Sequence, residues 1–68
     1  MEKISGDEIK RRILEVLKKN EWMNTRQISN KIGVSYPTTL KWVDILYAEG
    51  KIDIKHYGNV KIVSLKNG

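Results

Sequence analysis

The hydropathic period of this chain changes at Gly50. Before it, apolar residues recur every three or four positions; after it, they alternate. Ile52 and Ile54 alternate with Asp53 and Lys55, and Val63 and Leu65 with Ser64 and Lys66. One switch of period predicts helices followed by an antiparallel hairpin, an α+β arrangement. Between the two alternating runs, Tyr57-Gly58-Asn59-Val60 suits a two-residue turn of type I′ or II′. That turn pairs Tyr57 with Val60, His56 with Lys61, Lys55 with Ile62, Ile54 with Val63 and Ile52 with Leu65. The last two pairs put four apolar side chains on one face, which a core-facing hairpin needs.

Three helical segments precede the switch. Ser5, with Glu8 three residues on, predicts a capping box for a first helix over about residues 6–19. Ile9, Ile13, Val16 and Leu17 form its apolar face, with Arg11, Arg12, Glu15 and Lys18 on the wet side. Trp22-Met23 reads as a short strand. Asn24, with Gln27 as the second half of a box, starts a helix over about residues 25–32 that Gly33 ends. Ser35 is the next cap candidate, and Pro37 fits the first turn of a third helix over about residues 36–49. Thr39, Val43 and Leu46 share its inner arc. Pro37, Thr38, Lys41, Asp44, Ile45 and Ala48 lie on the opposite one.

Size and charge narrow the function. Sixty-eight residues predict one small domain with a single core. The chain has no cysteine and one histidine, His56, so thiolate chemistry and multi-histidine metal sites are excluded. No paired carboxylates, nucleophile–base set or phosphate-cradling glycine loop is visible, so an enzyme is not expected, nor a cofactor. No apolar run reaches membrane-spanning length and no signal-peptide pattern opens the chain, which predicts a cytoplasmic protein with no membrane partner. The net charge of +5 points to a polyanion as partner. It is uneven: Arg26, Lys31, Lys41, Lys51, Lys55, Lys61 and Lys66 face only Asp44, Glu49 and Asp53 after residue 25.

Residues Asn24 to Glu49 read as a helix-turn-helix. Gly33 lets the chain reverse, Val34 enters the angle between the helices, and Ser35 starts the second one. The sequence resembles the winged helix-turn-helix transcription regulators, including MarR-like and ArsR-like types. The resemblance is carried by Met23-Asn24-Thr25-Arg26-Gln27-Ile28-Ser29, Ile32-Gly33-Val34-Ser35, Thr38-Thr39-Leu40-Lys41, Leu46 and Glu49-Gly50-Lys51-Ile52, and extends over about residues 7–66. It implies a three-helix bundle followed by a β-hairpin wing. It also implies binding to double-stranded DNA, with the third helix in the major groove and the wing on the backbone or minor groove.

Carried onto this chain, the resemblance places Tyr36, Pro37 and Thr38 in the exposed first turn of the recognition helix, with Lys41 one turn on. Ser35 and Thr38 hydroxyls are candidates for phosphate contacts, Arg26 and Lys31 for flanking contacts, and Lys55, His56 and Lys61 for the wing. The recognition helix has no arginine, asparagine or glutamine to read bases, which argues against sharp sequence specificity. A protein-docking winged helix is the alternative reading, with RNA binding behind it.

Other residues have plainer readings. Trp22 and Trp42 are expected in the core rather than as base-stacking platforms, His56 in solvent, and Lys10-Arg11-Arg12 on a solvated face. Tyr36 either faces DNA or packs on Leu40, and Tyr57 stands exposed at the hairpin tip. Leu40, Ile45 and Ile62 look exposed, as a homodimer surface or as scattered apolar residues. Relatives dimerise through extra helices at their ends, and Lys66-Asn67-Gly68 reads as a frayed tail. No small-molecule effector site is expected.

Overall fold

The computed structural model describes residues 4–66, so most of the expected C-terminal tail, beyond Lys66, lies outside the described residues. The element order is α1 (Gly6–Lys19), β1 (Trp22–Asn24), α2 (Thr25–Ile32), α3 (Tyr36–Ala48), β2 (Ile52–Tyr57) and β3 (Val60–Leu65). The expected helices are present, α3 ending one residue early with Glu49 as its C-cap. The hairpin register is the expected one, from Tyr57 opposite Val60 to Ile52 opposite Leu65. Gly58 has a φ of 60° and Asn59 lacks a positive φ, which selects type II′ of the two turn types.

The hairpin is not free. β1 pairs antiparallel with β3, giving a three-stranded sheet in the order β1-β3-β2. Met23 sits opposite Val63, and both are buried. The core lies between this sheet and the helices. It is built from Ile9, Ile13 and Leu17 of α1, Met23 of β1, Ile28 and Ile32 of α2, Val43 and Leu46 of α3, Ile52 and Val63. Val34 is half-buried against it, in the helix-turn-helix angle.

Local chemistry sets the helix ends. Asn24 and Gln27 form a full capping box: the Gln27 N–H donates to Asn24 Oδ1 at 2.8 Å and the Asn24 N–H to Gln27 Oε1 at 3.1 Å. Only half of the box expected on α1 forms. Ser5 Oγ accepts from the Glu8 N–H at 3.2 Å. The Glu8 carboxylate instead accepts from Arg11 and Arg12, whose charge-assisted bonds outcompete a backbone amide. Gly33 closes α2 with φ 71°, the left-handed conformation that a side chain would strain.

The two tryptophans diverge. Trp42 is half-buried against the core, over the start of α1. A Cβ on Gly6 would overlap Trp42 Cη2, so only glycine admits the indole there. Trp22, expected in the core, is 63% exposed. Adjacent strand residues point to opposite faces, and Met23 takes the inner one. Leu40, Ile45 and Ile62 are half-buried rather than exposed.

Two stability predictions follow from these contacts. Gly6→Ala improves intrinsic helix propensity, yet overpacking against Trp42 costs about 1–3 kcal/mol and wins; a melting temperature equal to or above that of the parent contradicts this packing. The buried Thr39 hydroxyl donates to the Ser35 carbonyl at 2.9 Å, whereas the buried Thr25 hydroxyl has no partner among the described residues. Thr39→Val is therefore expected to cost about 1 kcal/mol, and Thr25→Val nothing, in paired urea melts.

Candidate nucleic-acid interface

The start of α3 borders a small groove. Asn24, Thr25 and Arg26 line it from the start of α2, Tyr36 from α3, and Asn59, Val60 and Lys61 from the hairpin; its volume is about 200 Å³. Three of the residues expected to bind DNA, Arg26, Tyr36 and Lys61, therefore converge from three elements. The Arg26 guanidinium stacks over the Tyr36 ring, 4.5 Å from its centroid. This cation–π contact fixes both side chains without using up the charge. Tyr36 is half-buried and lies at the groove beside Arg26.

The first turn of α3 is chemically open. Ser35 occupies the cap position, but its side chain makes no capping bond. Its hydroxyl donates instead to Thr38 Oγ1 at 3.0 Å. Pro37 is exposed in the first turn and has no N–H. The uncapped end of a helix favours an anion. One turn further, Lys41 is exposed, its ammonium 5.3 Å from the Trp42 ring centroid.

The wing meets α3 through charge. Lys61 Nζ lies 3.5 Å from Asp44 Oδ1, tying β3 to the exposed arc of α3. His56 pairs with Lys61 across the hairpin, on the same side of the sheet, and is exposed. Two expected residues stand elsewhere. Lys55 is next to His56 in the strand, so it points to the other side of the sheet, beside Trp22 and Tyr57. Lys31 lies toward the other end of α2 and lines a cleft with Arg12, Glu15, Val16, Lys19 and Ile32, next to α1. Asn24 and Asn59 belong to the groove but read in the sequence as a cap and a turn residue.

The ion pairs sharpen the charge asymmetry. On α1, Lys10 pairs with Glu49 at 2.7 Å, Arg11 with Glu8 at 2.5 Å and also with Glu15, and Arg12 with Glu8 at 3.0 Å. Arg12 also donates to the Ile32 carbonyl at 3.1 Å, closing the end of α2. The Lys10-Arg11-Arg12 run is thus an ion-paired network. By contrast, Arg26, Lys31, Lys41 and Lys55 have no carboxylate partner among the described residues.

A short helix, a glycine turn, a second helix with an open first turn and a following hairpin define a winged helix-turn-helix DNA-binding domain. Residues 6–53 match the family model described as winged helix-turn-helix DNA-binding, and the chain belongs to that family. Its structure is similar to a solved structure of HOP2, with a TM-score of 0.78 and 27% identity over 85% of this chain and 98% of that one. That structure is described in terms of the DNA recognition and protein interaction domains of HOP2 and its homologous DNA pairing. No curated protein sequence matches the chain significantly.

The network on α1 makes a pH prediction. Hydrogen bonds from Arg11 and then Arg12 hold the Glu8 carboxyl below its ordinary value of 4.5, and one from Lys10 does the same for Glu49. A lowered folded-state value means that the unfolded chain binds the proton more readily. Each contribution is therefore complete above pH 4.5 and lost as pH falls through the depressed value. These are surface pairs, so the effect is small. The melting temperature should decline below about pH 5, and Glu8→Gln should soften that decline. An identical acid limb in the variant contradicts the pairing.

Proposed function

We propose that this chain is a small transcription regulator. It binds double-stranded DNA with the first turns of α3 in the major groove and the β2–β3 hairpin against the backbone or minor groove. The convergence of Arg26, Tyr36 and Lys61 beside the open start of α3 carries this reading. In it, Arg26 and Lys61 bind phosphates along the groove at the start of α3, and the Ser35–Thr38 hydroxyl pair and the free helix start take a third. Tyr36 and Pro37 face the base edges, Lys41 takes a further phosphate one turn on, and His56 follows the backbone along the wing. Lys31 and Lys55 lie away from this surface and are assigned no part in it.

The DNA recognition described for HOP2 supports the same assignment. The regulatory role and the kinship to MarR-like and ArsR-like types rest on the sequence resemblance carried by residues 23–29, 32–35, 38–41, 46 and 49–52. The domain is read as a single, non-enzymatic unit acting where DNA is. The protein-docking alternative keeps the arginine-free recognition helix in its favour but loses an exposed apolar face, because Leu40 and Ile45 are half-buried. A homodimer on DNA would space two copies of α3 by one helical turn of the duplex.

Phosphate contacts dominate such an interface, and about five to seven of them give a slope of log affinity against log salt of about −5 to −6. Lys41→Ala and Arg26→Ala should each weaken binding to random duplex and reduce that slope by about one. Mobility shifts across a salt series measure both. No shift at low salt, or variants indistinguishable from the parent, would contradict the assignment.

A further inference from the structure

The outer side of the sheet carries none of the residues assigned to the duplex, although Asn24 and Val60 at its edge also line the groove at α3. On this outer side, Val60, Ile62 and Ser64 of β3 point away from the core. β1 adds Trp22 opposite Ser64 and Asn24 opposite Ile62. β2 adds Tyr57 opposite Val60, Lys55 opposite Ile62 and Asp53 opposite Ser64. Trp22 and Tyr57 are 63% and 61% exposed, and Val60 is 43% exposed. With Lys55, Ile62 and Ser64 they bound an open concavity of about 540 Å³.

Two exposed rings at opposite ends of an apolar floor present planar surfaces that the fold leaves unburied. The charge around them is positive. Lys55 lies in the concavity. Lys51 and Lys66 are joined by a backbone bond of 3.2 Å at the far end of the hairpin, and by alternation they belong to the same side. Asp53 is the one acid at the paired positions of this face. Aromatic rings interleaved with lysines match unstacked bases joined by phosphates. A duplex offers the phosphates but keeps its base faces stacked inside. The surface is also continuous with the groove at α3, since Val60 lines both.

We propose that the outer face of the sheet binds a single-stranded polynucleotide, with Trp22 and Tyr57 stacking on bases and Lys55 contacting the phosphate between them. This site is distinct from the duplex surface, and neither depends on the other. The Asn59 turn, next to Val60, is the path by which a strand would pass from one surface to the other.

Fluorescence anisotropy with a labelled oligothymidylate of about twelve nucleotides, and with the matching oligouridylate, tests the site. Both should bind at low salt or one should clearly lead, and bound strand should quench tryptophan emission. Trp22→Ala should lower single-strand affinity about tenfold or more, with duplex affinity and melting temperature unchanged, since the indole is exposed and outside the duplex surface. Tyr57→Ala should lower single-strand affinity in the same way. Lys41→Ala should do the reverse, weakening duplex binding alone. The proposal is overturned if neither strand binds at low salt, or if strand binding is indifferent to both aromatic substitutions. It is also overturned if sedimentation shows that Trp22 joins two copies of the chain while no strand binds.

Discussion

The pairing of β1 with β3 is the contact on which the rest of the domain depends. Three residues do it. Met23, opposite Val63, drives the inner face of the sheet into the core. Asn24, opposite Ile62, ends the strand and caps α2 through its box with Gln27. The same residue thus fixes where the sheet stops and where the helix-turn-helix begins. An isolated two-stranded hairpin is marginally stable in water. Held by a third strand, the hairpin becomes a fixed wing, and Lys61 can meet Asp44 on α3. Trp22 is turned outward by the same alternation that turns Met23 in.

Charge is then sorted by the fold. Glu8 and Glu15 of α1 and Glu49 at the end of α3 all engage cations of α1. Lys18 and Lys19 of α1 keep their charge, as do Arg26 and Lys31 of α2, Lys41 of α3 and Lys55 of the hairpin, none of which has a carboxylate partner among the described residues. The one acid on the exposed arc of α3, Asp44, is met by a lysine from the wing rather than by Lys41. Lys41 therefore keeps its charge for a partner, although the recognition helix holds no other cation.

Most of the fold was legible in the sequence because it is locally encoded. Caps at Asn24 and Gly33, the change of period at Gly50 and the turn at Gly58-Asn59 each act within a few residues, and each stands where expected. What depends on distant parts of the chain was not. A three-residue strand shows too little alternation to announce its partner, so Trp22 read as core. The signal was present, since Trp22 and Met23 are neighbours and a strand can bury only one of them. The Glu8 box failed because two arginines competed for the carboxylate. At the site, Tyr36, Arg26 and Lys61 were identifiable by type, but their convergence needed the crossing of wing and helix. Lys55 and His56, adjacent in sequence, part to opposite faces for the same reason that the tryptophan and methionine do.

In the proposed complex, duplex DNA meets the face formed by α3, the start of α2 and the inner side of the wing. Amide chemical-shift mapping of the isotopically labelled protein, titrated with a short random duplex, tests it residue by residue. The account predicts that the largest changes cluster at Arg26, Tyr36, Thr38, Lys41, His56 and Lys61, with α1 from Arg11 to Lys18 undisturbed. Changes centred on α1, or spread without a cluster, would contradict it.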